Sequence, residues 1–344
     1  MNEFYDGTKL LSLSDKNGQK PEIFICTSNR NAGKTTYFSR YLVRRFINNN
    51  EKFMLLYRFN YELNDCCDKF FKEIQTLFFK DYHMTSKPKA KGMYHDLFLN
   101  DVHCGYAVAL NNADTIKKNS HMFADTVRML MDEFQSETNH YCSNEITKFQ
   151  SIHTSVARGG GEQIRYVPVY MVSNPVSIIN PYYTAMGISS RLRKDTKFLK
   201  GDGYVLEQGF NESASDKQKS SAFNRAFGNS DYNKYSADGT YLNDVDTFIE
   251  NPIGKGKYVA TLRYKGVDYS IREYTNNGYI YIGKTPDMTY NYKICITTED
   301  MNINYLMLQR NNNFIKIMRD LFNRGCIRFK DLQCKDAFFS LISY

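Results

Sequence analysis

Ile23-Phe24-Ile25-Cys26-Thr27-Ser28-Asn29-Arg30-Asn31-Ala32-Gly33-Lys34-Thr35-Thr36 is a short apolar run, then a polar, turn-prone stretch, then the start of a helical pattern. Ile23–Thr27 predicts a buried strand. From Lys34 to Ile47 the spacing puts Phe38, Tyr41, Leu42 and Phe46 on one helical side, and Asn48-Asn49-Asn50 ends that helix. Ser28–Thr35, between strand and helix, fits the phosphate-loop pattern GxxxxGK(S/T) at Gly33-Lys34-Thr35, with Ser28 where the first glycine is expected. In such a loop, backbone N–H groups at the helix N-terminus bind phosphate oxygens. Gly33 lets the backbone approach closely, Lys34 reaches the β and γ phosphates, and Thr35 offers its hydroxyl to Mg²⁺. Ser28, Asn29, Arg30, Asn31, Ala32, Gly33, Lys34, Thr35 and Thr36 are therefore the candidate nucleotide-binding residues, with ATP and Mg²⁺ as the expected cofactors. A lone Gly-Lys-Thr arises by chance; the strand before it and the amphipathic helix after it give it weight.

Val127-Arg128-Met129-Leu130-Met131-Asp132-Glu133 is a mostly apolar strand that ends in two carboxylates. Behind a phosphate loop, Asp132 is the candidate Mg²⁺ ligand together with Thr35. Glu133 is the candidate base that takes a proton from the attacking water, work that contributes about 10²–10⁴ in rate. The plainer alternative is an acid pair that opens a solvated loop. Strand Tyr166–Val172 ends in Ser173-Asn174, at the edge where open α/β sheets bind ligands, so these two residues are candidates to report the γ-phosphate. The alternative is an ordinary turn before Pro175. Arg158 precedes Gly159-Gly160-Gly161. It could reach a neighbouring subunit's γ-phosphate, but spacing alone reads it as a surface arginine on a loop.

The chain has 344 residues, 42% apolar and 24% charged, which suits two globular domains. Phe53–Tyr57 predicts a second strand, Tyr61–Phe79 a helix, and His95–Leu110 a hairpin turning at Asn100-Asp101. Alternating strands and helices argue for an α/β fold with a mainly parallel sheet over 1–200. Ser86–Gly92 reads as a basic loop. Residues 201–240 are polar and read as a linker or lid module, with a short helix near Ser221–Phe227. Residues 241–344 read as an α+β domain. Its predicted strands are Thr247–Glu250, Tyr258–Tyr264, Val267–Tyr274, Tyr279–Ile282 and Lys293–Thr297, and its predicted helices Met301–Arg310 and Phe314–Phe322.

The formal net charge is +8, which fits a polyanionic partner and is equally found in proteins that bind none. Lys87, Lys89, Lys91, Lys117-Lys118 and the stretch Arg191-Leu192-Arg193-Lys194 with Lys197 and Lys200 could grip a DNA backbone, or could be solvated faces. Eight cysteines without a CxxC pair and an opening without a signal-peptide pattern suggest free thiols in a reducing cytoplasm. No apolar run approaches the length of a membrane span, so no membrane partner is expected. The six histidines show no metal spacing.

Together these residues resemble the DNA encapsidation ATPases of small tailed phages that package a protein-primed linear genome. The features that carry the resemblance are Arg30 in the phosphate loop, Tyr57-Arg58-Phe59 with Glu62-Leu63, Met131-Asp132-Glu133-Phe134 and, above all, Val172-Ser173-Asn174-Pro175-Val176-Ser177-Ile178-Ile179-Asn180-Pro181-Tyr182-Tyr183. Tyr241–Ile249 and Thr297-Thr298-Glu299-Asp300 extend it into the second domain. The resemblance implies a P-loop ATPase of the RecA/ASCE type, related to terminase large subunits. It implies a homo-oligomeric, pentameric ring at the portal vertex of an empty capsid in the host cytoplasm, pumping double-stranded DNA. Lys34, Thr35, Asp132 and Glu133 carry over as the ATP site, Arg158 as a trans-acting finger, and Lys117 or Lys118 as a second trans-acting cation. The C-terminal domain is implied to be a degenerate RNase H-like nuclease that contacts the capsid portal or a structural packaging RNA. Its acids Asp244, Asp246, Asp268 and Asp300 do not assemble a two-metal site from sequence. The departures from the family pattern are Ser28 for glycine and the Gly159–Gly161 run. Two alternatives are a terminase with a live C-terminal nuclease and a nucleic-acid-binding structural protein with a degenerate phosphate loop.

Overall fold

The computed structural model describes residues 4–138, 140–158, 163–178, 180–189, 191–192, 196–228, 230–239 and 248–343. The Gly159–Gly161 run, Ile179, Arg193, Lys194 and Tyr241–Thr247 (with Asp244 and Asp246), used above, lie outside the described residues. The chain divides into two compact units, Met1–Asn243 and Asp244–Tyr344.

In the first unit the strands are β1 (Ile23–Thr27), β2 (Lys52–Tyr57), β3 (Met84–Lys89), β4 (Tyr94–Leu99), β5 (Val102–Ala109), β6 (Thr126–Asp132), β7 (Val169–Ser173), β8 (Phe198–Lys200) and β9 (Tyr204–Gln208). The helices are α1 (Thr8–Leu11), α2 (Lys34–Asn49), α3 (Asn60–Phe78), α4 (Ala113–Lys118), α5 (Glu145–Ala157), α6 (Pro181–Ala185), α7 (Glu212–Ser220), α8 (Ala222–Ala226) and α9 (Asp231–Asp238). The nine strands form one mixed sheet in the order β3-β4-β5-β2-β6-β7-β1-β9-β8. Its centre, β5-β2-β6-β7-β1-β9, is parallel, while β3-β4-β5 and β8-β9 are antiparallel edges. The central strands are continuous apolar runs because both faces are covered: Phe53, Met54, Leu55 and Leu56 of β2 are all buried. On one face Phe38, Leu42, Val43 and Phe46 of α2 pack with Phe24, Leu55 and Tyr170.

Register decides where chemistry can occur. Thr27 pairs with Ser173 and with Gln208, and Asp132 pairs with Val172. The loop after β1, the acid pair after β6 and Ser173-Asn174 after β7 therefore emerge together at the carboxyl edge of the sheet.

Several sequence readings are corrected. Ser86–Gly92 is not a plain loop, because β3 runs to Lys89 and pairs with β4 before the turn at Ala90–Gly92. As an edge strand with exposed lysines it lacks an apolar signature, and Pro88 is tolerated at an edge. Residues 201–240 are not a linker. Tyr204-Val205-Leu206 are buried in β9 beside β1, and α7–α9 belong to the first unit. A three-residue apolar run in a polar stretch is too short to read, and its parallel partner lies far away in sequence.

The second unit holds β10 (Lys257–Tyr264), β11 (Val267–Tyr274), β12 (Tyr279–Gly283), β13 (Lys293–Cys295), β14 (Leu306–Met307) and β15 (Ile327–Phe329), with α10 (Asn313–Asn323) and α11 (Leu332–Ser343). Its sheet order is β14-β13-β10-β11-β12-β15. Ile315 and Met318 of α10, with Ala337, Phe338 and Leu341 of α11, cover Leu262, Ile271 and Ile282. Of the predicted strand Thr247–Glu250, the described part gives one bridge, Ile249 to Phe329. The predicted helix Met301–Arg310 does not form: Asn302 accepts the Asn304 N–H through its side chain at 3.0 Å and the Tyr305 N–H through its carbonyl at 3.1 Å, and β14 follows. Asparagine side chains compete with helical backbone bonding in this way.

Among the described residues, Cys26, Cys104, Cys142, Cys295, Cys326 and Cys334 are free thiols, and no helix is long and apolar enough to cross a membrane.

Candidate nucleotide site

The loop between β1 and α2 is held in shape by its own backbone. Gly33 caps α2 at φ 90°, and Asn31 stands at φ 61°. Both lie in the left-handed region, which glycine and asparagine tolerate best. The Gly33 carbonyl accepts the Tyr37 N–H at 2.9 Å, starting the helix whose first turn carries Lys34, Thr35 and Thr36. Ser28, Asn29 and Ala32 are buried, and the Ser28 N–H donates to the Ser173 carbonyl at 3.4 Å.

Lys34 is 6% exposed. Its Nζ donates to Asn174 Oδ1 at 2.7 Å and to the Ser28 carbonyl at 3.2 Å. Desolvation holds this ammonium below the usual lysine pKa, opposed by Cys26, Asp132 and Glu133. The Thr35 hydroxyl donates to Asp132 Oδ1 at 3.1 Å, joining the phosphate loop to the end of β6. These are hard oxygen donors, the set that Mg²⁺ takes. Glu133 follows at φ 50°, a strained position for a non-glycine residue, with its carboxylate side chain exposed and its N–H on Asp132 Oδ1 at 2.9 Å.

Burial, and then the adjacent Glu133 charge, raise the Asp132 carboxyl from 3.8 to about 6. A carboxyl raised on folding stabilises the fold fully below its unfolded pKa, and that stabilisation is lost as pH rises through the folded value. Asp132→Asn is therefore expected to raise the stability of the nucleotide-free protein at pH 7.5 by about 1–3 kcal/mol, with the gain vanishing near pH ~4. Urea unfolding at the two pH values checks this, and a destabilised variant at pH 7.5 contradicts it.

Sequence reasoning missed the supports of this site. Arg58 and Glu145 form a buried ion pair, with Nε to Oε2 at 3.0 Å. The same guanidinium donates to the Phe134 carbonyl at 2.8 Å, while Glu145 accepts from the Tyr182 hydroxyl at 2.7 Å and the Cys142 N–H at 2.8 Å. This network fixes the backbone just after Glu133, and losing one partner of such a buried pair costs about 3–5 kcal/mol. Gln135 Oε1 accepts the N–H groups of Val176 and Ser177 at 3.0 and 2.9 Å, fastening the loops after β6 and β7 together.

A second set of missed contacts ties residues 211–239 to the phosphate loop. Asn29 Nδ2 donates to the Asn211 carbonyl at 3.0 Å, and the Asn211 N–H returns to Asn29 Oδ1 at 2.9 Å. The Arg30 N–H donates to the Ser236 carbonyl at 3.1 Å, and Gln218 Nε2 donates to the Arg30 carbonyl at 2.7 Å. The Arg30 guanidinium pairs with Glu137, which also accepts from the Tyr235 hydroxyl at 2.6 Å. Burial opposes ionisation of Glu137, but these bonds from Tyr235 and Arg30 hold it below the usual carboxylate range. The segment over the loop is thus 211–239, inside the stretch read from sequence as a linker or lid module. Arg191 is bound to the Tyr204 hydroxyl and the Lys200 carbonyl, and Phe198–Lys200 is the edge strand β8.

Arg158 is exposed at the end of α5, away from this edge. Its neighbour Ala157 accepts the Arg165 N–H, and Val167, two residues on, donates to Glu22, which precedes β1. That is the amino edge of the sheet, roughly 17 Å of strand from the carboxyl edge. The structure therefore brings together Lys34, Thr35, Asp132, Glu133, Ser173 and Asn174, and leaves Arg158 out.

In the second unit, Asp300 accepts the Lys265 and Gly266 N–H groups at 2.9 and 2.7 Å, holding the turn between β10 and β11. Asp268 pairs with Arg263 at 3.3 Å and accepts from the Tyr305 hydroxyl at 2.8 Å. Among the described residues no three His, Cys, Asp or Glu side chains converge to hold a metal.

The DNA packaging protein of Bacillus phage phi29 is 24% identical over 316 residues, covering 91% of this chain and 90% of that protein. That of Bacillus phage B103 is 25% identical over 304 residues, covering 87% and 90%. Among solved structures, a chain of the bacteriophage Phi-29 viral genome packaging motor assembly has a TM-score of 0.72 at 23% identity, covering 99% of each chain. A chain of the Phi-28 gp11 DNA packaging motor has a TM-score of 0.63 at 18% identity, covering 99% of this chain and 98% of that one. At these identities the structural likeness establishes the shared fold. Residues 2–343 match the family described as Podovirus DNA encapsidation protein (Gp16), and the chain belongs to that family.

Proposed function

We propose that this chain is the ATP-hydrolysing subunit of a machine that drives double-stranded DNA into a preformed capsid. The observation that carries the reading is the meeting of Thr35 with Asp132 at 3.1 Å, with Lys34 buried beside them on Asn174. Amides at Gly33–Thr35 bind the triphosphate, and Lys34 leaves Asn174 for its terminal phosphates. Thr35 and Asp132 hold Mg²⁺, which supplies neutralisation of phosphate charge. Glu133 accepts the proton of the attacking water. Asn174, now without Lys34, is placed to sense the terminal phosphate and its loss.

Arg158 cannot serve its own site from the amino edge, which supports its acting on a neighbouring subunit's nucleotide in a homo-oligomeric ring. Ring assembly, pentameric by resemblance, would take place at the portal vertex in the host cytoplasm. Lys87, Lys91, Lys117 and Lys118 are exposed cations available to DNA phosphates, and Lys89, also exposed, pairs with Asp96 at 3.6 Å. In the second unit, strands β12-β11-β10 run antiparallel and β13 and β14 continue parallel to β10. That order supports an RNase H-type architecture. The commitment of Asp268 and Asp300 to structural bonds supports its use as a contact module for portal or packaging RNA rather than as a nuclease. The test is ATP-dependent protection of added duplex DNA from nuclease by empty capsids carrying this chain. Protection that Lys34→Ala abolishes is expected. Protection without ATP, or none with wild type, contradicts the reading.

A further inference from the structure

The backbone that leads into Arg158 is held by Arg165. Val156 and Ala157 are the last two residues of α5, and both are buried. The last carbonyls of a helix have no partner within it. Arg165 supplies partners for both: its Nη2 donates to the Val156 carbonyl at 2.7 Å, and its backbone N–H donates to the Ala157 carbonyl at 2.8 Å. A cation on these carbonyls also meets the negative end of the helix dipole. The Ala157 carbonyl belongs to the peptide bond that joins Ala157 to Arg158, and the Val156 carbonyl to the one before it. Two successive peptide planes are thus fixed. Arg158 then leaves the helix in an extended conformation, φ −80° and ψ 122°, and is exposed.

The segment that begins with Arg165 is itself anchored. The Tyr166 hydroxyl donates to the Pro21 carbonyl at 2.8 Å, and Lys20 Nζ lies 4.0 Å from the centre of the Tyr166 ring. The Val167 N–H donates to Glu22 Oε1 at 2.8 Å, and the Val167 carbonyl accepts from His153 Nε2 at 2.9 Å. His153 is one turn back along α5, and its Nε2 lies 3.5 Å from Glu22 Oε1. Residues 165–167 are therefore fastened both to the entry of β1 and to α5. Through them the exit of α5 is referred to the sheet.

We propose that Arg165 is the positioning residue for Arg158: its guanidinium on the Val156 carbonyl sets the direction in which the chain leaves α5, and so aims Arg158 at the nucleotide of a neighbouring subunit. This rests on the assignment of Arg158 to that trans role. A cation that stabilises charge developing on a phosphate must stand in a set place, and a misplacement of about 1 Å by a change remote from the chemistry can cost about 10²-fold. Arg165 lies at the amino edge, away from the phosphate loop of its own chain, so ATP binding by that chain does not depend on it.

The test is DNA-stimulated ATP turnover, with equilibrium ATP binding, by Arg165→Ala and Arg165→Lys, alone and mixed into rings with other variants. Arg165→Ala is expected to lose about 10² in turnover and to bind ATP as wild type does. Arg165→Lys is expected to keep most of the turnover, because the side chain makes one bond to one carbonyl and an ammonium can donate it. Mixed with Glu133→Gln chains, Arg165→Ala chains are expected to recover turnover, since Glu133→Gln chains carry a well-placed Arg158. Mixed with Arg158→Ala chains they are expected to recover none, since both lack the same function. Wild-type turnover by Arg165→Ala overturns the inference, as do recovery with Arg158→Ala chains and an Arg165→Lys variant no faster than Arg165→Ala. Loss of ATP binding by Arg165→Ala also overturns it, as does failure of Arg165→Ala to recover with Glu133→Gln chains that rescue Arg158→Ala; either result places the defect in the fold of the chain. If Arg158→Ala itself turns over ATP as wild type does, the trans assignment fails first and the inference falls with it.

Discussion

Arg158→Ala is expected to lower DNA-stimulated ATP turnover by about 10³–10⁵, the range over which an arginine supplied to a neighbour's γ-phosphate acts. β6 ends at Asp132, α5 then runs back along the sheet, and Arg158 closes α5 at the amino edge beside the residues that precede β1. Its own phosphate loop stands at the opposite edge. A cation there is too far from the phosphate loop of its own chain to act on it, so any catalytic effect must be read across an interface. Mixing separates the two cases. Arg158→Ala chains still hold an intact Glu133, and Glu133→Gln chains still hold an intact Arg158. In mixed rings some sites receive both, and turnover should partly return. No recovery at any ratio contradicts a trans role, and wild-type turnover by Arg158→Ala alone contradicts any role.

Glu133→Gln is expected to cut turnover by about 10²–10⁴ while nucleotide still binds. The substitution keeps the shape of the side chain and removes its basicity. Binding should survive because the cradle consists of the Gly33–Thr35 backbone, Lys34 and the Thr35–Asp132 pair, none of which needs the Glu133 carboxylate. The left-handed backbone at Glu133 is set by the Asp132 bond to its N–H and by Arg58 on the Phe134 carbonyl. Glutamine keeps the same backbone N–H donation to Asp132. Equilibrium ATP binding and steady-state phosphate release, measured on the same preparation, check the split. Loss of both together would point to a fold defect.

What could be read from sequence was local. The phosphate loop, its flanking strand and helix, and the Met131-Asp132-Glu133 strand end each lie in one continuous segment with its own period or pattern. Their meeting at one sheet edge follows from the parallel register of β1, β7 and β6. Ser173 and Asn174 were legible for the same reason, as the residues that follow an apolar run. What escaped was carried by pairs distant in the chain. Arg58 meets Glu145 across 87 positions, and Asn29 meets Asn211 across 182. An acid in the first turn of a helix, such as Glu145, or an asparagine ahead of one, such as Asn211, reads as ordinary capping chemistry. Nothing at either position names its partner. The polar composition of 201–240 hid β9 for a related reason: burial there is supplied by β1 beside it, not by the strand's own length. Met301–Arg310 shows the reverse error, an apolar spacing that suits a helix but is interrupted by Asn302 and its turn.

If the ends of β1 and β6 form one site that hydrolyses a nucleoside triphosphate in response to duplex DNA, the purified chain should release phosphate from ATP in the presence of Mg²⁺. Release is to be measured with and without duplex DNA. Turnover that DNA stimulates and that Lys34→Ala removes is expected. No release by the wild-type chain under any of these conditions, or release that persists unchanged in Lys34→Ala, would contradict it.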